Sequence, residues 1–254
     1  MRRRRGEAGL DGGGPVTGLL AGGTAVVTGA SRGIGRAIAM RLAAAGAEVA
    51  LWARDEGALG RVAGEIEAAG GRARGFVCDV ADPAAVVRAA DAVRRAMPPV
   101  RIVVNNAGAV LRSETAAITD EGWRRVMAVN ADGTFHVTRA FLADLVGHGP
   151  NGRIINIASR AGREGTPLLA AYCAAKHAVV GFTRALAEEL RAAKVSVNAI
   201  CPGSVDTAML REGLPGARPD MTPDDIASTA LYLATPAPDG APAALTGTCI
   251  DVFG

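Results

Sequence analysis

Aromatic residues are scarce in this 254-residue chain, since phenylalanine, tryptophan and tyrosine together make up 4% of it. The four cysteines are scattered and form no CxxC pair, so we expect neither a disulfide framework nor a bound metal. No run of about 18 apolar residues occurs, and we expect no membrane span. The start of the chain also lacks the apolar stretch of a secretory signal. These absences predict a cytoplasmic globular protein.

Acidic charge is scarce at the start of the chain, where four arginines occupy positions 2–5 and two acids precede residue 12. The formal net charge of +3 is therefore concentrated there, and the rest of the chain is close to neutral. A nucleic-acid-binding domain would show a basic stripe with interleaved aromatic residues, which this sequence lacks. We predict no nucleic-acid partner, and we interpret residues 1–19 as a disordered tail.

Short β-rich runs alternate with longer alanine-rich segments through the rest of the chain. Strands are predicted at 24–28, 48–53, 73–77, 101–105, 152–159, 195–200 and 248–252. Helices are predicted at 33–45, 57–69, from 82 onward, 120–130, 132–146, 167–191 and 222–234. This alternation is typical of a parallel sheet covered by helices. Without a repeat or linker, residues 20–254 are predicted to form one α/β domain. We expect a Rossmann-type doubly wound fold, with a seven-stranded parallel sheet flanked by helices on both faces.

A glycine-rich turn, TGASRGIG at 28–35, separates the first predicted strand from the first helix. Its glycines are spaced GxxxGxG, which differs from the GxGxxG fingerprint of dinucleotide-binding proteins. The physical use is the same, because glycines let the backbone approach a pyrophosphate and the helix N-terminus offers free N–H groups. The candidate cofactor-binding residues of this turn are Gly29, Ser31, Arg32, Gly33, Ile34 and Gly35.

The second predicted strand ends at Ala53 without the carboxylate that would bind the ribose 2′-OH of NAD. Arg54 follows, and Arg32 lies in the glycine turn. Two guanidinium groups suit the 2′-phosphate of NADP through charge-assisted hydrogen bonds. Asp55 and Glu56 oppose this interpretation, but they fit the first turn of the next helix, where the dipole favours acids. We predict a preference for NADP(H), with NAD(H) as the open alternative.

Tyr172 and Lys176 stand four residues apart in the long helix predicted at 167–191, so they share one face of it. A lysine charge about 4 Å from a phenol contributes about 4 kcal/mol at an effective dielectric near 20. That energy lowers a tyrosine pKa by about 3 units from its usual value near 10. We therefore expect Lys176 to activate Tyr172 as a general acid and base. A packed tyrosine beside a lysine that reaches solvent is the alternative for this spacing alone.

Two polar residues are predicted to lie near this pair. Ser159 ends the fifth predicted strand, at the carboxyl edge where doubly wound sheets bind ligands. Its hydroxyl could steady a carbonyl oxygen beside the phenol. Asn130 lies between two predicted helices, where its backbone carbonyl could hold a water that leads to the lysine.

Seven motifs occur in the order typical of one enzyme family: TGASRGIG, CDV, NNAG, VMAVNADGTF, a serine thirteen residues before the tyrosine, YCAAK and CPGSVDT. From about residue 20 onward the chain resembles the single-domain branch of the short-chain dehydrogenase/reductase family. Within that branch it is similar to 3-oxoacyl-acyl-carrier-protein reductases and related NADP(H)-dependent ketoreductases. The resemblance implies hydride transfer between NADP(H) and a ketone or secondary alcohol. It also implies a catalytic tetrad of Asn130, Ser159, Tyr172 and Lys176.

The resemblance implies further cofactor contacts after three of the predicted strands. These are Asp79 and Val80 at the adenine, Asn106, Ala107 and Gly108 along the centre, and Pro202, Gly203, Val205 and Thr207 near the nicotinamide. Tyr172 and Lys176 would contact the cofactor as well. The expected partner is a small carbonyl or alcohol substrate. A homotetramer or homodimer is expected, formed through the helix after Asn130 and the helix that carries Tyr172.

The chain departs from the family pattern after the sixth predicted strand. The segment from Pro202 to Asp225 is shorter than the usual substrate-covering lid, so we expect an abbreviated pocket. Its expected lining is Val110, Leu111, Ala161, Arg163 and Ser204. The stretch VGHGPNG before the fifth strand lacks basic residues, which argues against an acyl-carrier protein as partner. Two other hypotheses stay open: a nicotinamide-binding regulatory or structural protein without turnover, and nucleic-acid binding by the arginine tail.

Overall fold

A computed structural model describes residues 18–254, so nearly all of the tail predicted at 1–19 lies outside the described residues. One parallel sheet of seven strands runs through the molecule in the order β3-β2-β1-β4-β5-β6-β7. The strands are β1 (Thr24–Thr28), β2 (Glu48–Ala53), β3 (Arg72–Val77), β4 (Val100–Asn105), β5 (Arg153–Ile157), β6 (Ser196–Pro202) and β7 (Cys249–Val252). The predicted fold class and strand number are therefore confirmed.

The part of the chain that the structure describes forms eight α-helices, most of which pack on the two faces of the sheet. They are α1 (Gly33–Ala44), α2 (Glu56–Ala68), α3 (Pro83–Ala96), α4 (Asp120–Met127), α5 (Gly133–Gly147), α6 (Ala170–Glu189), α7 (Ala208–Gly213) and α8 (Pro223–Ala234). A π-helical turn over Ala128–Asp132 joins α4 to α5. The break predicted between two helices near residue 131 is therefore a distortion within one continuous helical segment.

The hydrophobic core consists of two layers, one on each side of the sheet. On one side Ile38, Leu42 and Ile226 pack from α1 and α8 against β1 and β4. On the other side Phe141 and Leu145 of α5 pack with residues of α3 against the sheet. The central strands β1, β5 and β6 are buried along their whole length. Burial on both faces explains why these strands read as continuous apolar runs rather than alternating ones.

A chain of buried hydrogen bonds fixes the two strands behind the site. Asn105 of β4 donates from Nδ2 to Thr138 Oγ1 at 2.9 Å and to Asn156 Oδ1 at 2.8 Å. Asn156 of β5 donates to Thr183 Oγ1 of α6 at 2.9 Å. Buried polar groups stabilise a structure when they are paired in this way. These hydrogen bonds hold β4, β5, α5 and α6 in fixed positions relative to one another. Of these elements, β4 leads to the NNAG segment, β5 leads to Ser159, and α6 carries Tyr172.

The element boundaries differ from the predicted ones at three places near the site. β5 ends at Ile157, because Ser159 Oγ accepts from Ala161 N at 3.1 Å and starts a 3-10 turn. The long helix begins at Ala170 rather than 167, after Leu168 adopts a left-handed backbone with φ of 66°. Helix α7 was not predicted from the sequence. Six residues are too few to show helical periodicity.

Candidate active site

The glycine turn between β1 and α1 is shaped by close backbone approaches. Gly29 and Gly33 adopt φ values of +64° and +53°, which residues with a side chain rarely adopt. A methyl group at Gly35 would overlap Gly29 O and the Asn106 amide. Asn106 Nδ2 donates to Thr28 O at 2.9 Å and to Gly29 O at 3.3 Å, which ties the turn to the end of β4. These contacts leave no room for a side chain at Gly29 or Gly35, two of the three glycines of the turn.

The N-terminus of α1 is open to an anion. Its first N–H groups receive no side-chain cap from Arg32, and its first turn contains no acidic residue. Unpaired N–H groups and the positive end of the helix dipole together favour a phosphate. The exposed Arg32 and Arg54 flank this position at the ends of the turn and of β2. The donors present therefore fit the pyrophosphate and the additional phosphate of NADP(H).

The hydroxyl group of Thr28 also holds the end of β4 to β1. Thr28 Oγ1 accepts from Asn106 N at 2.9 Å and from Ala107 N at 3.0 Å. The chain then passes Gly108, where a methyl group would lie 2.9 Å from Asn130 Oδ1. The NNAG segment is therefore placed between the glycine turn and the π-helical turn. It joins the predicted cofactor residues to the predicted catalytic ones.

Asn130 is buried in the π-helical turn between α4 and α5. Its Nδ2 donates to Ala109 O and to Val126 O, both at 2.8 Å, and its carbonyl accepts from Thr134 Oγ1 at 2.8 Å. Among residues 18–254 its Oδ1 is buried without a hydrogen-bond partner. The backbone carbonyl of Asn130, which was expected to hold a water, thus already accepts one hydrogen bond from Thr134. The π-helical turn, which is often found at functional sites, places the unpaired Oδ1 beside Gly108.

Tyr172 and Lys176 lie on the same face of α6, with Nζ of the lysine 5.7 Å from the centre of the tyrosine ring. Lys176 Nζ donates to Ile157 O at 2.7 Å, at the last residue of β5. The side chain of Lys176 is 4% exposed. Burial lowers the pKa of Lys176 to about 8, and the nearby Cys201 acts in the opposite direction. A buried ammonium group is costly, so the neutral amine becomes accessible close to physiological pH.

The electrostatic prediction for Tyr172 is wrong for this arrangement. Burial raises the pKa of Tyr172 to about 12, and a hydrogen bond with Ser159 is the contribution that lowers it. The ammonium of Lys176 is directed to Ile157 O, and it is not among the groups that lower the phenol pKa. The cost of dehydrating a phenolate therefore outweighs the lysine charge. Ser159, predicted from its place after β5, does lie beside the phenol as expected.

The remaining predicted cofactor residues lie at the same carboxyl edge of the sheet. Asp79 follows β3 and accepts from Ala81 N at 3.0 Å, while Val80 is buried against Gly133. Pro202 ends β6, and Gly203 N donates to Val252 O at 2.9 Å. Val205 forms a β-bridge with Met221, and the Thr207 methyl group lies 3.4 Å from where a methyl group on Gly33 would be. The structure thus gathers these side chains along one edge.

The expected pocket residues divide into two groups. Val110, Ala161 and Tyr172 belong to one apolar cluster, and Leu111 packs with Tyr172 in a neighbouring one. Arg163 instead forms an ion pair with Asp251 of β7 at 3.5 Å. The carbonyl of Ser204 accepts from Asp220 N and Met221 N. The apolar residues therefore lie beside the phenol, whereas Arg163 is paired towards β7.

Comparison with known proteins identifies the chain. The family model described as short chain dehydrogenase matches residues 23–216. A protein of Streptomyces violaceoruber, named for ketoacyl reduction in granaticin polyketide synthesis, is 46% identical over 73% of this chain and 68% of its own length. The chain belongs to the short-chain dehydrogenase family. The predicted family and the predicted class, oxidoreductases that act on ketones or secondary alcohols, are confirmed at that level.

Other relatives of this short-chain dehydrogenase agree with that assignment. A 3-oxoacyl-acyl-carrier-protein reductase of Synechocystis is 38% identical over 91% of this chain and 95% of its own length. A solved structure of actinorhodin polyketide ketoreductase with NADPH is 35% identical, with a TM-score of 0.85. The matched region covers 94% of this chain and 98% of the ketoreductase chain. The whole described fold is therefore shared with the family.

Two contributors to the site of this dehydrogenase were not predicted from the sequence. Met209 of α7 has its Sδ 3.9 Å from the hydroxyl of Tyr172. Thr28 was read as part of a strand, although its hydroxyl joins β1 to β4. A signal for α7 was present, because Thr207 caps it by accepting from Leu210 N at 3.2 Å, and threonine is a favoured N-cap residue. No comparable signal marked the role of Thr28.

The buried lysine makes the stability of this dehydrogenase depend on pH. Lys176 has a folded pKa of about 8 against an ordinary value of 10.5, so between these values the unfolded chain binds one more proton. Stability should therefore rise with pH across this window by about 3 kcal/mol, and this gain is lost as pH falls through 8. Urea unfolding at about pH 7 and about pH 10 measures it.

Lys176→Met should abolish that rise, and Lys194→Met is the matched control. Lys194 is the other lysine of the chain and is exposed. The comparison ends near pH 10, because the raised pKa values of Tyr172 and of the buried thiol Cys78 increasingly oppose the rise in alkaline solution. An equal rise in Lys176→Met and wild type would contradict the assignment.

Across residues 18–254 no helix is both long and apolar enough to cross a bilayer. Within the same residues, no group of three or more His, Cys, Asp or Glu side chains is arranged to hold a metal ion.

Proposed function

We propose that this dehydrogenase transfers a hydride between NADP(H) and the carbonyl carbon of a ketone, or its secondary alcohol. The observation that carries the proposal is the position of Tyr172. Its hydroxyl lies beside Ser159 at the carboxyl end of β5, on the edge of the sheet that also carries the open N-terminus of α1. The relatives named for ketoacyl reduction, and the ketoreductase solved with NADPH, support the same reaction.

The cofactor, when bound, supplies or accepts the hydride. The N–H groups at the start of α1 would bind its pyrophosphate, and Arg32 and Arg54 its 2′-phosphate. The other proposed cofactor residues follow the ends of β3, β4 and β6. They are Asp79, Val80, Asn106, Ala107, Gly108, Pro202, Gly203, Val205 and Thr207. Lys176 would contact the nicotinamide ribose next to Tyr172.

Tyr172 is the proposed proton donor, with Ser159 positioning the substrate oxygen. A phenol with a pKa raised to about 12 is fully protonated at neutral pH, so it is ready to give its proton to an alkoxide formed by reduction. Alcohol oxidation would instead need the phenolate, which the buried site disfavours.

The test of this function is ketone-dependent NADPH oxidation by the purified full chain. We expect turnover with at least one simple ketone and a weaker rate with NADH. Arg54→Ala should weaken NADPH binding by about 10- to 150-fold and leave NADH binding unchanged, because one charge-assisted hydrogen bond contributes about 1.5–3 kcal/mol. Arg72→Ala is the control, since that exposed arginine lies at the opposite edge of the sheet, paired with Glu48 at 2.8 Å.

Cofactor binding without ketone-dependent oxidation would contradict the enzymatic proposal. It would favour the alternative of a nicotinamide-binding regulatory or structural protein. Equal weakening of NADPH and NADH binding in Arg54→Ala would contradict the proposed contact between Arg54 and the 2′-phosphate. It would leave the proposed ketone reduction standing, because that reaction does not require this contact.

We further propose a homotetramer or homodimer assembled through α5 and α6. Phe135 of α5 is 43% exposed, and its ring lies edge-on to Phe182 of α6 with centroids 6.3 Å apart. Val146 of α5 is also exposed. A shared apolar face of two helices suits burial against a second copy. A monomer in light scattering would contradict this.

A cytoplasmic location is also proposed, because all four cysteines are free thiols. Recovery of the protein outside the cytoplasm on cell fractionation would contradict it.

A further inference from the structure

Met209 stands directly over the reacting end of Tyr172. Its Sδ is 3.9 Å from the tyrosine hydroxyl. Its Cε lies 3.4 Å from where a methyl group on Gly108 would be. The thioether therefore spans the gap between the phenol and the NNAG segment. A substrate that accepts a proton from Tyr172 must place its oxygen within about 3 Å of the same hydroxyl, so its carbonyl carbon comes to lie against Met209.

The helix that carries Met209 is fixed at both ends, so the side chain is not at the tip of a loose loop. Just before its N-terminus Asp206 N donates to Met221 O at 2.9 Å. At the C-terminus Arg112 donates to Gly213 O at 3.3 Å. A methyl group at Gly213 would lie 3.0 Å from Val110 Cγ2, which shows how closely α7 packs on the segment after β4. Helix α7 is thus held in a defined position beside Tyr172.

The surroundings of the phenol on this side are apolar. Ala161, Leu169 and Cys173 are buried together, with the partly buried Val110, Tyr172 and Leu214 packed against them. The guanidinium of Arg112 comes close to this side of the site, but it donates to Gly213 O at 3.3 Å and is therefore already engaged. An apolar substituent on the carbonyl carbon suits this cluster better than a charged one, because a charge among these side chains would lose its hydration.

We propose that Met209 is a specificity-determining residue that limits one substituent of the carbonyl carbon to a small apolar group. This rests on the proposed ketone reduction. The thioether already lies 3.9 Å from the hydroxyl that must give its proton, so each further methylene of this substituent must displace the methionine. One misplaced methylene in an apolar pocket changes kcat/KM by about 10–200-fold.

The experiment measures kcat/KM for acetophenone, propiophenone and butyrophenone, whose alkyl group grows by one methylene at each step. Wild type should lose at least about tenfold per step. Met209→Ala removes the side chain beyond Cβ and should level the series. Met209→Leu keeps similar bulk without sulfur and should preserve the decline. Arg211→Ala changes an exposed residue on the same helix, paired with Asp206 at 2.6 Å, and should behave as wild type.

Binding of each ketone to the NADPH complex, followed by cofactor fluorescence, separates the two proposals. If ketone affinities decline along the series in wild type and become equal in Met209→Ala, without turnover in any variant, that result would support the size-limiting role of Met209 and contradict the proposed reaction. Turnover with the same decline in wild type and Met209→Ala would overturn the role of Met209 and leave the reaction supported. Neither binding nor turnover of any of these ketones by wild type would overturn both. Thermal unfolding of each variant confirms that the fold is retained.

Discussion

Replacement of Tyr172 by phenylalanine should reduce ketone turnover by about 10³-fold, because general acid catalysis by a positioned group contributes about 10²–10⁴-fold. The substitution removes one oxygen atom, which is next to Ser159 and Met209 and donates no hydrogen bond to the backbone. We therefore expect the melting temperature to change little. NADPH affinity should remain close to that of wild type. Steady-state kinetics and cofactor fluorescence provide the two measurements.

Tyr232→Phe is the matched control for this experiment. The chain contains two tyrosines, and Tyr232 is the other, 47% exposed on α8. The control should retain wild-type turnover. Undiminished turnover in Tyr172→Phe would remove the proton-donor role. Loss of NADPH binding along with turnover would instead indicate that the phenol serves the cofactor more than the substrate.

Gly35→Ala should weaken NADPH binding and destabilise the fold by about 1–3 kcal/mol, the usual range for overpacking in a tight interior. The added methyl group would overlap Gly29 O and Asn106 Nδ2, and both atoms belong to the contact between the glycine turn and β4. To make room, the turn must move away from β4. The start of α1 would then no longer face the same position. Chemical unfolding and NADPH titration measure the two effects.

Gly60→Ala and Gly64→Ala in α2 provide the opposite case. A methyl group at either position meets nothing within 4 Å. Alanine is the better helix former by about 1 kcal/mol, so each control should raise the stability slightly. Unchanged stability and NADPH affinity in Gly35→Ala would show that the turn adapts, and would contradict the close approach described for it.

The sequence allowed the fold to be predicted because local patterns agreed with one another. Buried strands such as β5 appear as apolar runs, and Pro83 after Asp82 marks a helix start, with Asp82 Oδ1 accepting from Ala84 N at 2.8 Å. The glycine turn was recognisable because its glycines, from Gly29 to Gly35, span the end of a strand and the start of a helix. Residue spacing within one element is enough for such predictions.

The electrostatics of the site could not be predicted in the same way. Spacing placed Tyr172 and Lys176 on one face of a helix, but the acceptor of the lysine, Ile157 O, comes from another strand. The degree of burial, which raises the tyrosine pKa and lowers the lysine pKa, is a property of the packed molecule. Met209 escaped prediction for the same reason, since it reaches Tyr172 across 37 residues of chain.

The hydroxyl of Thr28 also bears on how the protein is made. It binds two N–H groups that follow it by 78 and 79 positions, so the crevice between β1 and β4 can close only after Ala107 has been synthesised. Tyr172 comes much later in the chain. During translation on the ribosome, the pyrophosphate end of the dinucleotide cleft can therefore take shape in a nascent chain that does not yet possess its proton donor or the cofactor residues after β6. Ligand capture at that stage would favour the folded form of the emerging polypeptide by mass action.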